Sequence, residues 1–210
     1  MQLESTLIPA GGFHGKLAVH TAGPLGAPAV VLGHSILAST NMWRFQLKML
    51  LELGLRVVSI DTRGHGASDE PSTECSLDDL VADNIRVLDA LDIAQAHFMG
   101  VSLGGMVALG LGILHPDRVA SLTVCDARAD APPAFAVPWD ERIAMAQEHG
   151  TAALADSTAE RWFGSDFLGG QPELAREVKK MIAGTSVGGF AACARALQRL
   201  DYLEIGRAHV

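Results

Sequence analysis

Residues 100–104 read Gly-Val-Ser-Leu-Gly, a GxSxG pattern that can present Ser102 as a nucleophile for acyl transfer. A strand-like run, Ala96–Met99, leads into this pattern, and an apolar run typical of a helix, residues 105–109, follows it. So sharp a turn leaves no room for side chains beside the serine, which explains the flanking glycines. The helix N-terminus would favour developing negative charge. The alternative, a helix-capping serine in a glycine-rich turn, explains less of the pattern.

Acyl transfer also needs two preorganised N–H donors for the oxyanion of the tetrahedral intermediate. The backbone N–H of Leu103, directly after Ser102, is the first candidate. The second is expected in the loop after an earlier strand, and residues 31–36 read as such a strand end, which makes Ile36 our candidate. The alternative is an ordinary loop between a strand and a helix. His34 is predicted to orient this loop rather than to act as a base, and it is also a candidate for substrate contact.

A third segment, residues 59–69, is rich in Gly, Asp and Ser, which are typical of turns. Asp61 and Arg63 are expected to pair and to fix this loop beneath the site. We interpret the segment as scaffold and do not expect His65 to be catalytic.

Strands and helices must alternate to position these loops. Two helical patterns follow the first strands, and the second opens with Ser76 and Asp79, which match a capping box. This alternation predicts a mostly parallel, doubly wound α/β sheet with helices on both faces. The predicted strands are Lys16–His20, Ala29–Leu32, Leu55–Ile60, Ala96–Gly100 and Val119–Cys125. The predicted buried face of the first helix is Met42, Phe45, Met49, Leu50 and Leu53.

From Asp140 to about Leu200 the sequence reads as helices only, which favours a helical cap inserted on the core over a second domain. Trp139 and Trp162 are candidates for the substrate pocket, the alternative being the interior of the cap. Arg142 and Arg161 are options for an anionic substrate, although a surface position is commoner for helical arginine. The predicted buried residues are Ile143, Leu154, Trp162, Leu174, Val178, Ile182, Phe190 and Leu197.

The composition argues against several classes of protein. The 210 residues are 49% hydrophobic with a formal net charge of −8, and no cluster of Lys and Arg stands out, so nucleic-acid binding is not expected. No GxGxxG or GK[ST] loop indicates a nucleotide site. Three cysteines without metal-ligand spacing argue against a disulfide framework and a zinc site.

The N-terminal residues lack the charge and apolar run of a signal peptide, and the longest nearly apolar stretch, residues 106–114, is too short to span a bilayer. We therefore expect a cytoplasmic protein that is not bound to a membrane. The oligomeric state does not follow from the sequence.

The three loop segments, in this order, resemble the α/β-hydrolase superfamily, and the chain is most similar to capped members of the 3-oxoadipate enol-lactonase type. The resemblance includes residues 61–68 and 104–106 of the core, and residues 139–143 and 160–163 of the cap. It implies that Ser102 attacks a lactone or ester carbonyl of a small molecule, with Ile36 and Leu103 holding the oxyanion. It also implies that no metal or organic cofactor is required.

In this superfamily the acid and then the histidine follow the serine along the chain. We expect both beyond the end of this chain, so that the fold lacks its last strands and the 210-residue chain is inactive. The last seven residues match a translated sequencing adapter and are expected to be non-native, including His209. Asp126 is an alternative acid, since it follows the strand beside the nucleophile strand. The expected division is a core at 1–126, a cap at 127–198, a return to the core at 199–203 and the tail at 204–210.

Two alternatives remain open at this point. The chain could be another capped hydrolase, a carboxylesterase or a C–C bond hydrolase, because the core motifs do not select the substrate. It could also be a non-catalytic ligand receptor on the same fold. The intact serine turn and oxyanion loop favour the enzyme.

Overall fold

A computed structural model describes residues 4–10 and 15–203 of the chain. Six strands in these ranges form one sheet in the order β1-β2-β4-β3-β5-β6. The pairs β4–β3, β3–β5 and β5–β6 are parallel, whereas β2 is antiparallel to β1 and β4. The strands are β1 Glu4–Pro9, β2 Lys16–Ala22, β3 Ala29–Gly33, β4 Arg56–Ile60, β5 Ala96–Val101 and β6 Val119–Cys125.

The α/β architecture and all five predicted strands are confirmed. The additional strand, β1, has no clear pattern because only Ile8 of its residues is buried. Since β4, β3, β5 and β6 are parallel, the loops that follow them meet at one edge of the sheet. Ser102 and the two predicted loops therefore share that edge.

Helices cover both faces of the sheet and continue into the cap. In the described ranges they are α1 Arg44–Glu52, α2 Leu77–Ala90, α3 Leu103–Leu114, α4 Pro133–Ala136, α5 Pro138–His149, α6 Ala155–Phe163, α7 Ser165–Gly170, α8 Pro172–Ala183 and α9 Val187–Gln198. Helix α1 packs on one face with residues of β3 and β4, and α2 and α3 join the larger core on the other. None of the described helices has the length and apolar composition needed to cross a bilayer.

The start of α2 confirms the predicted capping box. The Ser76 hydroxyl accepts from the Asp79 N–H at 3.1 Å, and the Asp79 carboxylate accepts from the Ser76 N–H at 2.8 Å. The predicted face of α1 is right for Leu50, which is buried, and for Met42, which packs against the same core, but wrong for the other three residues. Phe45, Met49 and Leu53 are exposed, and the stripe that packs on the sheet is Trp43, Leu47 and Leu50. The segment carries two apolar stripes at helical spacing, and contact with the sheet selects one of them.

The cap consists of helices in the described residues, as predicted. Its expected buried residues are buried except Trp162 and Leu174, which are half-buried. Helix α5 packs against α9, and α6 against α8. After α9 the chain returns towards the core, where Asp201 forms an antiparallel bridge with Asp130. The expectation for the tail concerns residues outside the described ranges.

Helix α9 connects the cap to the loop after β4. The backbones of Gly64 and Gly189 approach so closely that a Cβ on either residue would overlap the other. The Ser186 N–H donates to the Gly64 carbonyl at 2.9 Å, and the Gly188 N–H donates to Glu70 Oε1 at 2.9 Å. The cap is therefore held directly against the edge of the sheet that carries the predicted site.

Candidate active site

Ser102 occupies the turn between β5 and α3 with a φ of 53° and a ψ of −114°. Such a positive φ is uncommon for a residue other than glycine and indicates backbone strain. The turn is held because the Ser102 N–H donates to the Cys125 carbonyl and the Met106 N–H donates to the Ser102 carbonyl, both at 2.9 Å. The Ser102 side chain makes no capping hydrogen bond. This geometry argues against the reading of Ser102 as a simple helix cap.

Glycines permit the close approaches around this turn. A Cβ at Gly100 would overlap the Gly104 carbonyl, and a Cβ at Gly104 would overlap the backbone of Gly33 at the end of β3. The Gly104 N–H donates to the His34 carbonyl at 3.1 Å. The serine turn and the loop after β3 are therefore one connected backbone unit, and this close approach requires glycine at positions 33 and 104.

The two N–H groups predicted for the oxyanion flank this contact. Among the described residues, no group accepts a hydrogen bond from the backbone N–H of Ile36 or Leu103. Leu103 begins α3, so its N–H has no acceptor within the helix. Ile36 lies in a turn closed by the Ala38 N–H, which donates to the Ser35 carbonyl at 3.0 Å. Both N–H groups thus lack an acceptor among the described residues, as the oxyanion hypothesis requires.

Leu37 lies in the same turn, although no feature of the sequence marks this position as a turn residue. Its φ is 64° although its side chain is completely buried. A turn with positive φ at its third residue normally takes Gly or Asn there. Burial of the leucine side chain in the core stabilises a backbone conformation that leucine does not otherwise favour.

His34 holds the loop in place. Its Nδ1–H donates to the Ser35 carbonyl at 2.8 Å, and its Nε2 accepts from the Thr62 N–H at 2.8 Å. Burial lowers the pKa of His34, against the raising effects of Asp61 and of the bond to Ser35. Both ring nitrogens of the neutral side chain are occupied, which accords with an orienting role and leaves neither for a substrate.

The loop after β4 is organised by Asp61. Its carboxylate accepts from the Thr40 N–H at 2.8 Å and the Ala67 N–H at 3.0 Å, and it lies 3.5 Å from His20 Nε2. Burial opposes ionisation, but the contact with His20 and these backbone donors lower the pKa of Asp61 to about 2. The carboxylate joins this loop to the segment after β3.

The expected pairing of Asp61 with Arg63 is corrected by the structure. Arg63 forms its salt bridge with Asp83 on α2, with Nε–Oδ2 at 2.5 Å and Nη2–Oδ1 at 2.9 Å, and both side chains are buried. Asp61 instead accepts from one backbone N–H of its own loop, that of Ala67, and from one of the segment after β3, that of Thr40.

Asp126 directly follows β6. Since Val101 pairs with Cys125, Ser102 and Asp126 are the next residues on neighbouring strands. Asp126 also has a positive φ, of 47°, and its side chain is exposed. Within residues 4–10 and 15–203, no histidine hydrogen-bonds to Ser102 or Asp126. The described residues thus supply a nucleophile and a neighbouring carboxylate without a base between them.

In the cap, Arg142 is half-buried rather than on the surface. Its Cζ lies 4.7 Å from the ring centroid of Trp139 and 5.7 Å from that of Phe190, and its Nη2 donates to Thr158 Oγ1 at 3.0 Å. Burial and the nearby Arg161 lower the pKa of Arg142 to about 10. Within the described residues it has no carboxylate partner. An unpaired, partly desolvated guanidinium is receptive to an anion.

The two cap tryptophans, Trp139 and Trp162, differ in burial and in their neighbours. Trp139 is buried in an aromatic cluster, with ring centroids 6.0 Å from Phe135 and 6.3 Å from Phe190. Trp162 is half-buried beside Phe163, at 6.4 Å. Of the two, Trp139 is the one that stacks on the unpaired Arg142.

Comparisons with known proteins agree with this geometry. The family model of the alpha/beta hydrolase fold matches residues 28–167. The 3-oxoadipate enol-lactonase 1 of Acinetobacter baylyi is 38% identical over 188 residues, which are 90% of this chain and 69% of the relative.

Two solved hydrolase structures superpose closely on this chain. A hydrolase from Pseudomonas aeruginosa PA01 superposes with a TM-score of 0.89 at 30% identity, covering 95% of this chain and 74% of that one. The enol-lactonase from Burkholderia xenovorans LB400 superposes with a TM-score of 0.86 at 30% identity, covering 93% of this chain and 74% of that one.

Proposed function

Because this chain belongs to the α/β-hydrolase fold family, we propose that it hydrolyses a small lactone or ester through an acyl-enzyme on Ser102. The observation that carries this proposal is the left-handed φ of Ser102 at the junction of β5 and α3, with its side chain free of a capping role. Ser102 Oγ attacks the carbonyl carbon, and the N–H groups of Ile36 and Leu103 donate to the resulting oxyanion. Collapse of this intermediate expels the alcohol or enol oxygen, and water then hydrolyses the acyl-enzyme.

The serine proton requires an acceptor, and in this family that acceptor is a histidine oriented by a carboxylate. We propose that this carboxylate, like the histidine, lies outside the described residues, with Asp126 as the alternative because it lies beside Ser102 at the end of the neighbouring strand. The described residues bring no histidine to this position. We therefore assign the base to a histidine outside them, which takes the proton from Ser102 Oγ as the oxygen attacks.

The substrate class follows from the cap. We propose that the substrate carries a carboxylate that pairs with Arg142 while its carbon chain packs on Trp139. A guanidinium has five N–H donors, and the contact with Thr158 uses one of them. Phe190 adjoins Gly189, which touches the loop after β4, and this contact supports the proposal that the cluster faces the sheet edge that carries Ser102. The relative's name agrees: closing a lactone ring in 3-oxoadipate consumes one of its two carboxylates and leaves the other.

Hydrolysis by the purified chain tests the nucleophile. Release of p-nitrophenol from p-nitrophenyl acetate is measured with and without added imidazole, which can replace a missing base, in wild type, Ser102→Ala and the exposed-site control Ser165→Ala. Without imidazole we expect little hydrolysis that depends on Ser102, because the described residues bring it no base. With imidazole we expect a component of the rate that Ser102→Ala abolishes and Ser165→Ala retains. Equal rates for wild type and Ser102→Ala under both conditions would exclude Ser102 as the nucleophile.

The substrate class has a separate test. Ser102-dependent rates are compared for the p-nitrophenyl monoester of glutarate, which is anionic, and for the neutral p-nitrophenyl butyrate. We expect Arg142→Gln to lower kcat/KM for the anionic ester by roughly 10- to 100-fold, the loss expected for a charge-assisted hydrogen bond. The neutral ester should change little, and the exposed control Arg176→Gln should affect neither. Equal losses on both esters would mean that Arg142 only supports the cap.

A further inference from the structure

Ser5, His20 and Asp61 form a row of polar side chains on the part of the sheet farthest from β6. Ser5 lies directly opposite His20 in the antiparallel pair of β1 and β2, so their side chains share one face of the sheet. Ser5 Oγ lies 2.8 Å from His20 Nδ1, and His20 Nε2 lies 3.5 Å from Asp61 Oδ2. A hydroxyl, an imidazole and a carboxylate thus follow one another in the order that activates a serine nucleophile.

The carboxylate of Asp61 determines which nitrogen of His20 carries the proton. Burial opposes ionisation of Asp61, but the contact with His20 and two backbone donors lower its pKa to about 2. The ionised carboxylate favours the N–H at Nε2 of His20, which leaves Nδ1 as the acceptor for the Ser5 hydroxyl. The separation of 3.5 Å is long for a hydrogen bond, as is common in such arrays when no ligand is bound.

A second pair of serine and histidine in the same sheet provides a comparison. Ser121 on β6 lies opposite His97 on β5, and its Oγ is also 2.8 Å from the histidine Nδ1. In the part of the chain that the structure describes, no carboxylate pairs with His97. Its tautomer is therefore not fixed, and when Nδ1 carries the proton it donates to Ser121 instead of accepting from it. The carboxylate is what distinguishes the two pairs.

Ser5 can be reached without any movement of the chain. Ser5 is exposed and the His20 side chain is 22% exposed, whereas only 3% of the Asp61 side chain is exposed. Ser5 lies within a strand and not at the start of a helix, so it lacks an N–H group like the one proposed for Leu103 beside Ser102. Because the oxyanion is then stabilised by water, we expect reaction only with esters that have a good leaving group.

We propose that Ser5 is a second nucleophile of this chain, separate from Ser102, and that it accepts an acyl group from activated esters. Ser5 Oγ attacks the carbonyl carbon of the ester, and His20 Nδ1 takes the hydroxyl proton. The bond between the carbonyl carbon and the leaving oxygen then breaks, and the proton passes from His20 to that oxygen. In sum, the serine and the ester give an acyl-serine and a free alcohol or phenol.

The experiment follows acetylation of the full chain carrying Ser102→Ala, so that no acyl group passes through Ser102. The chain is treated with p-nitrophenyl acetate, and acetylated peptides are located over time by tandem mass spectrometry, which distinguishes Ser5 from the N-terminal amine. We expect Ser5 to be acetylated at least ~10-fold faster than Ser121 in the same molecule. Adding His20→Gln should lower the rate at Ser5 by roughly 100-fold, the contribution of a general base, and His97→Gln should leave it unchanged.

Asp61→Asn tests the carboxylate. We expect it to lower the rate at Ser5 towards that at Ser121, while an unchanged rate at Ser121 shows that the sheet is intact. If this variant does not fold, His20→Gln decides, because its side chain lies partly exposed on β2. Equal rates at Ser5 and Ser121, or a rate at Ser5 that survives His20→Gln, would overturn the proposal. These rates do not depend on Ser102, so they are independent of the proposed hydrolysis.

Discussion

Gly33 and Gly104 are in direct backbone contact, and this contact joins the loop that carries Ile36 to the turn that carries Ser102. The Gly104 N–H donates to the His34 carbonyl across the same junction. A side chain at either glycine would force the two backbones apart. The spacing between the proposed nucleophile and the proposed oxyanion donor is therefore set by the absence of two Cβ atoms.

This contact predicts the effect of Gly104→Ala. The added methyl group meets the carbonyl of Gly33, which cannot move aside as a flexible side chain would. Displacement of the Ile36 N–H should lower Ser102-dependent hydrolysis by on the order of 100-fold, the loss seen when an oxyanion donor is removed. Gly112→Ala in the same helix is the control, because its methyl group meets only the side chain of Leu122. Equal activity in the two variants would rule out this role for the contact.

The positive φ of Leu37 predicts an unusual order of stability between two variants at this position. Both truncations remove most of the buried leucine side chain, and Gly removes one methyl group more than Ala, but Gly alone adopts a positive φ without strain. Leu37→Gly should therefore be more stable than Leu37→Ala by about 1 kcal/mol, the reverse of the order in ordinary helices and strands. Urea unfolding of the two variants measures this difference. An alanine variant that is the more stable of the two would show that the turn is not strained.

The Arg63–Asp83 salt bridge predicts a non-additive effect on stability. Asp83→Leu leaves a buried guanidinium without its carboxylate partner and should cost about 3–5 kcal/mol. The double variant Arg63→Met with Asp83→Leu removes both charges and should recover much of this loss. Chemical denaturation of the single and double variants gives the coupling. The exposed pair of Arg176 and Glu173 is the comparison, where Glu173→Gln should change stability little.

The low pKa of His65 predicts that the folded protein loses stability as the pH falls. Burial, and then the nearby His34, lower the pKa of His65 from its ordinary 6.5 to about 3, so between these values the unfolded chain binds a proton that the folded chain does not. Its contribution to stability is complete above pH 6.5 and is lost as the pH falls towards 3, at about 1.4 kcal/mol per pH unit. His65→Gln should flatten this part of the stability curve, measured by urea unfolding from pH 7 to 4. The exposed His149→Gln should leave the slope unchanged, and a wild-type slope in His65→Gln would contradict this assignment.

The part of the site that rests on local geometry could be predicted from the sequence. A strand, a turn and a helix in direct succession permit few arrangements, so the environment of Ser102 follows from its glycines. The capping box of α2 is equally local, since Ser76 and Asp79 satisfy each other within one turn.

Features that depend on distant partners could not be predicted. Helix α1 carries two apolar stripes, and only the position of the sheet selects Leu47 and Leu50 over Phe45 and Met49. The acid that pairs with Arg63 lies on α2, where the sequence shows Asp83 only as one of several acidic residues of an amphipathic helix. The burial of Arg142 likewise depends on packing between cap helices, although its spacing of three residues from Trp139 is a signal for the stacking.

The contact between Gly64 and Gly189 restricts how caps can be exchanged in engineered hydrolases. A cap transplanted onto this core would have to present glycine at the position of Gly189, and a core that receives this cap would need glycine at the position of Gly64. The useful graft boundary therefore lies after α9 rather than before it, with the loop after β4 transferred as a matched part. Chimaeras that divide this pair between two parents should fail for steric reasons, whatever the fit of their pockets.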